Sequence, residues 1–448
     1  MWLKFFTLGM AGASVCLSSA VVCAADANNG FIEDSTTTVG FRNFYWNADN
    51  RNGSYTNFDG ERQSYRQEWS QGVLAKFNSG FTQGLVGFGL DLHYMGAVKL
   101  DGGKGRVGDG IGNGGIVSRD NDGDPKSEYS KAGGALKMRI ASTELAYGDL
   151  FPDSPVLKYG DIRLLPQTLR GWNVTDRSFA GLTLNAGRFV SSSDRAQPNH
   201  GGHLGTAYGG RQADSDFVSY YGGVYTGINN VKVKLFGSEL DDIWNQQFAS
   251  IEYRVPLAVG GTFNTGINYY RTRDTGAALL GSIRNDAWST RAGYALGGHK
   301  VELAFTQIDG DQPFDYVWNS FDIELDAASQ GSDFNSPNEK AWSARYDLDA
   351  VVFGVPGLTF TARYIRGTDI DGRNASGAYS RFQAVHDGSQ WERDLWVKYV
   401  VQSGPAKNLS LRLLHASMRT GGDYGAIAND LDQTRIILDY PLDLNFLK

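Results

Sequence analysis

At 448 residues the chain could hold two or three ordinary soluble domains, yet no Pro-rich, Ser-rich or highly charged linker divides it, so one large domain is favoured. Its 57 Gly, 12% aromatic residues and only 11 Pro fit many strands and turns, and the negative mean hydropathy argues against a bundle of membrane helices but not against a membrane barrel with polar lumen and loops. With 49 acidic and 42 basic residues the net charge is −7, which disfavours nucleic acid as a partner.

The N-terminus reads as a secretory signal peptide over residues 1–24. Lys4 supplies the positive end, Phe5 to Val22 the apolar stretch, and Val22-Cys23-Ala24 a small-residue cleavage site. Removing Lys4 changes the net charge to −8. Both cysteines, Cys16 and Cys23, lie in this segment, so the mature chain 25–448 has no disulfide and relies on its sheet. Ala20-Val21-Val22 is a poor context for lipidation of Cys23.

From Thr38 to Trp46 the pattern has period 2: Val39, Phe41 and Tyr45 share one face, Thr38, Gly40 and Arg42 the other. The same alternation places Trp69, Val73, Ala75 and Phe77 against Glu68, Ser70 and Lys76, and Val86 to Tyr94 against Gly87, Gly89, Asp91 and His93. It recurs in Leu409, Leu411 and Leu413, and in Ile436 to Leu442. Tight links near Ser79–Phe81, Ala141–Thr143, Thr175–Ser178, Gly227–Asn230, Leu257–Gly261, Gly297–Gly298, Leu348–Gly357 and Ser403–Lys407 alternate with nine long polar loops. Nine loops and eight turns imply 18 strands with both termini at the turn end. The expected fold is therefore all-β: an 18-stranded antiparallel transmembrane β-barrel with short periplasmic turns and long extracellular loops, in the outer membrane of a Gram-negative cell. Closure removes the unpaired edges that lipid would not tolerate. Trp69, Tyr94, Trp288, Trp342, Tyr440 and Phe446 suit the headgroup level.

Asp149–Thr168, DLFPDSPVLKYGDIRLLPQT, is the third long loop by this count. Its apolar Phe151, Val156, Leu157, Leu164 and Leu165 suit anchors against an inner wall rather than a strand. In their strands Arg42, Arg345, Arg363, Lys398, Arg412 and Arg435 share the parity of the polar face and are expected to point into the lumen. Guanidinium forks pair carboxylates at two points, and several weak sites along a wall pass a solute on rather than trap it. The competing reading is that each arginine pairs with a wall carboxylate such as Asp347 or Asp439 and only holds the barrel together.

Other motifs point to less. Gly103-Lys-Gly-Arg-Val-Gly108 fits G-x-G-x-x-G but opens no helix. Asp120-Asn-Asp-Gly-Asp124 lacks the downstream ligand of a calcium loop, and His200-Gly-Gly-His203 lacks a further metal ligand. No histidine sits in a motif beside a nucleophile and G-x-S-x-G is absent, so no enzyme, catalytic residue, metal or cofactor is implied. A barrel hydrolase or a passive surface or adhesion barrel are the alternatives.

Several blocks resemble the OprD, or Occ, family of outer-membrane carboxylate channels. They are GFIEDS after the signal, FRNFYWN at 41–47, SGFTQGLVGFGLD at 79–91, SPVLKYGDIRLLPQT at 154–168, QPFDY at 312–316, SDFNSPNEKAWSARYDLD at 332–349, GVPGLTFTARYIRGTDIDG at 354–372 and KYVVQSGPAKNLSLR at 398–412. The resemblance implies an inward-folded third loop forming an eyelet, and a basic ladder matched most closely at Arg66, Arg163, Lys398, Arg412 and Arg435. It places Asp333 at the eyelet, and it implies passive diffusion of small carboxylate solutes, aromatic acids or amino acids. Outer-membrane lipid and lipopolysaccharide are the expected surroundings, with monomer or trimer both open. Leu414 and Gly331 depart from the ladder arginine and the eyelet tyrosine of basic-amino-acid channels, which tilts the expected solute toward aromatic or other simple carboxylates. The Leu447-Lys448 extension after Phe446 departs from the usual aromatic end.

Overall fold

Large apolar side chains at every second position give strands with one greasy and one polar face, and lipid outside with water inside is the arrangement that satisfies both. In a computed structural model the chain forms one closed antiparallel barrel of 18 strands. The structure describes residues 29–444, apart from 52, 54, 57–61, 108–114, 121, 203, 211–214, 259 and 321–322. The expected signal segment 1–24, Gly108, His203 and the end at Phe446, Leu447 and Lys448 lie outside the described residues.

The strands are β1 (Thr36–Asn50), β2 (Tyr65–Asn78), β3 (Val86–Asp101), β4 (Glu128–Ile140), β5 (Thr143–Leu150), β6 (Thr168–Phe179), β7 (Leu182–Ser193), β8 (Val218–Tyr225) and β9 (Val231–Leu240). They continue with β10 (Trp244–Pro256), β11 (Thr262–Asp274), β12 (Arg284–Leu296), β13 (His299–Gly310), β14 (Lys340–Asp349), β15 (Leu358–Ile370), β16 (Gly388–Val400), β17 (Ser410–Gly422) and β18 (Leu431–Asp443). Each pairs with its neighbour in sequence, and β1 closes on β18 from Thr38 opposite Asp443 to Asn50 opposite Leu431. No sheet edge is left for lipid to meet.

Turns and loops alternate as the sequence implies, except that the fifth of the expected long loops, between β9 and β10, is only the three residues 241–243, because Leu240 pairs directly with Trp244. The turn at Gly297-Gly298 needs positive φ at both positions, +55° and +85°, which glycine adopts without strain and which matches the twist of a two-residue hairpin. The third turn falls at 180–181 rather than at Thr175–Ser178. The pairing of β6 with β7 shifts between Asp176 and Phe179, and the irregularity carries the strand further than its alternation indicates.

Leu92, Tyr94, Leu235, Leu303, Trp342 and Leu395 stand exposed on the outward face. The buried apolar clusters lie inside the ring, where loops meet the wall. The lumen is thus crossed by chain rather than left as an open pipe.

Candidate functional site

The third loop, L3 (residues 151–167), leaves β5 and enters the lumen. A small hairpin pairs Asp153 with Lys158 and Ser154 with Leu157, and its tip meets the far side: Tyr270 Oη on β11 donates to the Pro155 carbonyl at 2.9 Å. Val156 and Leu157 join a buried cluster with Phe248, Tyr270 and Phe314. The returning arm lays Leu164 and Leu165, both fully buried, against Phe44 and Trp46 of β1 and Met95 of β3. Gly72 on β2 makes room for them, since a Cβ there would stand 3.1 Å from Leu164 and 3.3 Å from Leu165. Phe151 packs edge-on to His93 and Tyr159, with Lys76 Nζ 4.2 Å from its ring centre. The five apolar residues picked out in the sequence are therefore the anchors.

Two further loops complete the constriction: L4 (194–217) and L7 (311–339). Lys158 N donates to Ser320 Oγ at 3.1 Å, and Gln167 Nε2 donates to the Trp318 carbonyl at 3.0 Å, locking L3 to L7. Ala207 N donates to the Tyr316 carbonyl at 2.9 Å, locking L4 to L7. L7 also runs along the inner wall. Asp326 receives Ser289 Oγ at 2.7 Å and Arg291 Nη1 at 2.8 Å, while Glu392 on β16 accepts from Gly331 N and Ser332 N at 2.7 and 2.8 Å.

Between these loops lies a cavity of 210 Å³ lined by Arg163 of L3, Arg195 of L4, Arg435 of β18, the aromatic rings of Tyr208, Tyr316 and Trp318, and Asp333 of L7. Arg163 Cζ lies 4.6 Å from the centre of the Trp46 ring, and Arg66 Cζ lies 4.8 Å from it. Burial, followed by the nearby Arg435, Arg195 and Arg66 cations, pushes the Arg163 guanidinium well below its ordinary pKa, with Glu68 opposing. A passing anion would relieve that crowding. On the acidic side, Asp333 accepts from the Tyr208 and Tyr316 hydroxyls, each at 2.7 Å. Its burial raises its pKa and the two phenol donors counter the rise. Arg163, Arg195, Arg435 and the Asp333 carboxyl therefore border one and the same cavity.

The expected ladder separates into two groups. Arg163 and Arg435 border the cavity; Arg435 also holds Gln433 Oε1 at 2.7 Å and the Gln330 carbonyl at 3.1 Å. Arg66 lies beside them against Trp46, and Lys398 stands exposed on the inward parity of β16, paired with Arg412 near the turn end. The others are in contact with wall or loop acceptors. Arg42 is bound to Asp161 at 2.6 Å and Asp439 at 2.7 Å, Arg412 to Asp439 at 2.5 Å, and Arg345 to Asp347 at 2.9 Å. Arg363 is buried and donates to the carbonyls of Asp326 and Ala328 and to Ser343 Oγ, fastening L7 to the wall. Arg42, Arg345, Arg363 and Arg412 thus each give at least part of their guanidinium to wall or loop acceptors, the barrel-holding arrangement weighed in the sequence against a solute-binding rung.

Arg195, Tyr208 and Tyr316 were not picked out from the sequence. They sit in long polar loops with no strand parity, so no period marks them as inward. Gly331 also lines the cavity, where a Cβ would meet Glu392 Oε2 at 3.2 Å, and the phenols reach the opening from Tyr208 and Tyr316. Leu414 leans on the Leu164–Leu165 cluster. Outside the constriction, His200 Nδ1 lies 3.4 Å from Asp149 Oδ2, and Asp120 Oδ1 accepts from the backbone of Asp122 and Asp124, forming a turn.

A sequence profile described as "outer membrane porin, OprD family" matches residues 29–444. Porin D of Pseudomonas aeruginosa is 42% identical over 427 residues, covering 93% of this chain and 92% of the relative. Among solved structures, that of Pseudomonas aeruginosa OccK9 (OpdG) superposes with a TM-score of 0.84 at 36% identity, covering 93% of this chain and 100% of that one. The structure of Pseudomonas aeruginosa OpdK with vanillate superposes at 0.81 with 32% identity, covering 92% and 100%.

Proposed function

The chain belongs to the OprD family of outer-membrane porins, and from that premise we propose that it passes small carboxylates passively into the periplasm, with simple aromatic acids favoured over basic amino acids. The observation that carries this is the convergence of Arg163, Arg195 and Arg435 on one 210 Å³ cavity, with Asp333 held apart by two phenols. A planar carboxylate meets a guanidinium fork at two points, and the rings of Trp318, Tyr208 and Tyr316 offer an aromatic solute a lining of matching character. Vanillate, which accompanies one related channel, is an aromatic carboxylate. Arg66 and Lys398 would hand the anion on above and below the constriction. Removal of residues 1–24 on export and contact with outer-leaflet lipopolysaccharide belong to the same reading.

Single-channel recording in planar bilayers tests it. Benzoate-like carboxylates should block the current at lower concentration than their neutral amides or than lysine. Equal block by acid and amide would remove carboxylate recognition from the mechanism.

A further inference from the structure

The outward face of β14–β17 carries a row that the passage of solutes does not use. Trp342 is paired across the sheet with Arg366, Arg366 with Trp391, and Trp391 with Arg419. One pleat below, Tyr364 is paired with Arg393. The Tyr364 and Trp391 rings stack at 6.1 Å, and Arg419 Cζ lies 5.8 Å from the Trp391 ring centre. These residues share the strand parity of Tyr346, Leu395 and Leu413, which are exposed to the outside of the barrel. The row lies within three residues of the loop ends of β14 and β16, at Lys340 and Gly388.

The three arginines differ in how they are satisfied. Arg419 is held by Asp432 at 2.9 and 3.1 Å. Asp432 is also bound by Arg51 at 3.0 Å. Among the described residues Arg366 has only Ser389 Oγ, at 3.3 Å. Arg393 is exposed and has no hydrogen-bond or ion-pair partner among the described residues. An arginine on the lipid face is costly at the bilayer midplane and nearly without cost at the interface, and it cannot shed its proton. Two exposed guanidinium groups between tryptophan and tyrosine rings at that level fit an anion that lies at the interface and carries an apolar body.

We propose that this face is a binding site for a phosphorylated glycolipid of the outer leaflet. Arg366 and Arg393 grip its phosphate, and Trp342, Tyr364 and Trp391 cover its sugar and the first part of its acyl chains. Long loops mark this end as the extracellular one, so the lipid that faces it is that of the outer leaflet. The inference rests on the outer-membrane placement and not on which solute the lumen passes.

The test titrates the delipidated barrel in mild detergent with bisphosphorylated lipid A, read by native mass spectrometry. Parallel arms use dephosphorylated lipid A, phosphatidylglycerol and inorganic phosphate. Saturable binding of the bisphosphorylated lipid is expected, weakened about tenfold or more in Arg366→Gln/Arg393→Gln with lumen conductance unchanged, and partly restored by lysine at both positions. Arg393→Gln alone carries the same expectation should the double variant fail to show the heat-resistant mobility of a folded barrel. Undiminished binding by the folded variant overturns the site. So does equal binding of dephosphorylated lipid A, of phosphatidylglycerol, or of inorganic phosphate alone.

Discussion

The Arg42 guanidinium on β1 lies 2.6 Å from the Asp161 carboxylate on L3, and the same Nη1 atom donates to the backbone carbonyl of Arg163 at 2.9 Å. A wall cation thus fixes the backbone that presents the constriction arginine. Arg42→Ala should loosen L3 by about 1–2 kcal/mol, since the contact is charge-assisted but borders the watery lumen. More frequent current flicker in single-channel traces is the expected sign. A trace as quiet as that of the parent channel would show that the apolar anchors alone hold the loop.

Arg163→Ala should weaken block by benzoate-like carboxylates roughly tenfold while leaving block by the matching amides unchanged. Small-ion conductance should rise as the opening widens. Arg163→Lys should keep part of the affinity, because the charge remains and the fork is lost. Uniform uptake kinetics across acids and amides in the alanine variant would contradict the role.

Gly160 lies where L3 meets L7, and a Cβ there would stand 1.9 Å from the Asn319 carbonyl oxygen. Backbone cannot yield as a flexible side chain can. Gly160→Ala is expected to cost about 1–3 kcal/mol and to part the two loops, raising unitary conductance. If conductance and loop hydrogen exchange both stay at parental values, the close approach does not set the bore.

Glu339 closes L7 and is fully buried, accepting from Gln390 Nε2 at 2.8 Å and Ser336 N at 3.0 Å. Burial pushes its carboxyl from an ordinary 4.5 up to about 7, against the effect of those donors. The docked loop therefore holds the proton more tightly than a released loop. Docking should be strongest below pH 4.5, weaken up to about pH 7 and stay level above, by up to roughly 3 kcal/mol in all. Hydrogen exchange over 326–338, corrected for intrinsic rate, should rise across that window, and Glu339→Gln should flatten the rise. A variant that kept the full pH dependence would assign it to another group.

How much of this was legible follows from where each residue sits. In the strands the side-chain period is two, so the inward aim of Arg42, Arg412 and Arg435 and the outward aim of Trp69, Leu411 and Leu413 could be read directly. Loop count and loop length gave the barrel its strand number, and the apolar residues of L3 gave its anchors. What parity cannot supply is the partner: Asp439 lies between Arg42 and Arg412, and L7 carbonyls cover Arg363, because chain distant in sequence arrives there. Arg195, Tyr208 and Tyr316 stayed hidden for the same reason. Their inward positions come from L4 and L7 docking on L3, a tertiary event with no local period.

The anchoring of L3 has a mechanical meaning. By strand count β1 and β10 stand across the ring from each other, and L3 rests on β1 and β3 through Leu164 and Leu165 while its tip touches β11 at Tyr270 and lies beside Gln246 of β10. A flap hung from one wall would follow that wall alone. A strut seated on both follows their separation, so flattening the ring along that diameter compresses it and stretching the ring pulls it taut. The cavity that L3 borders is thereby geared to the roundness of the barrel itself.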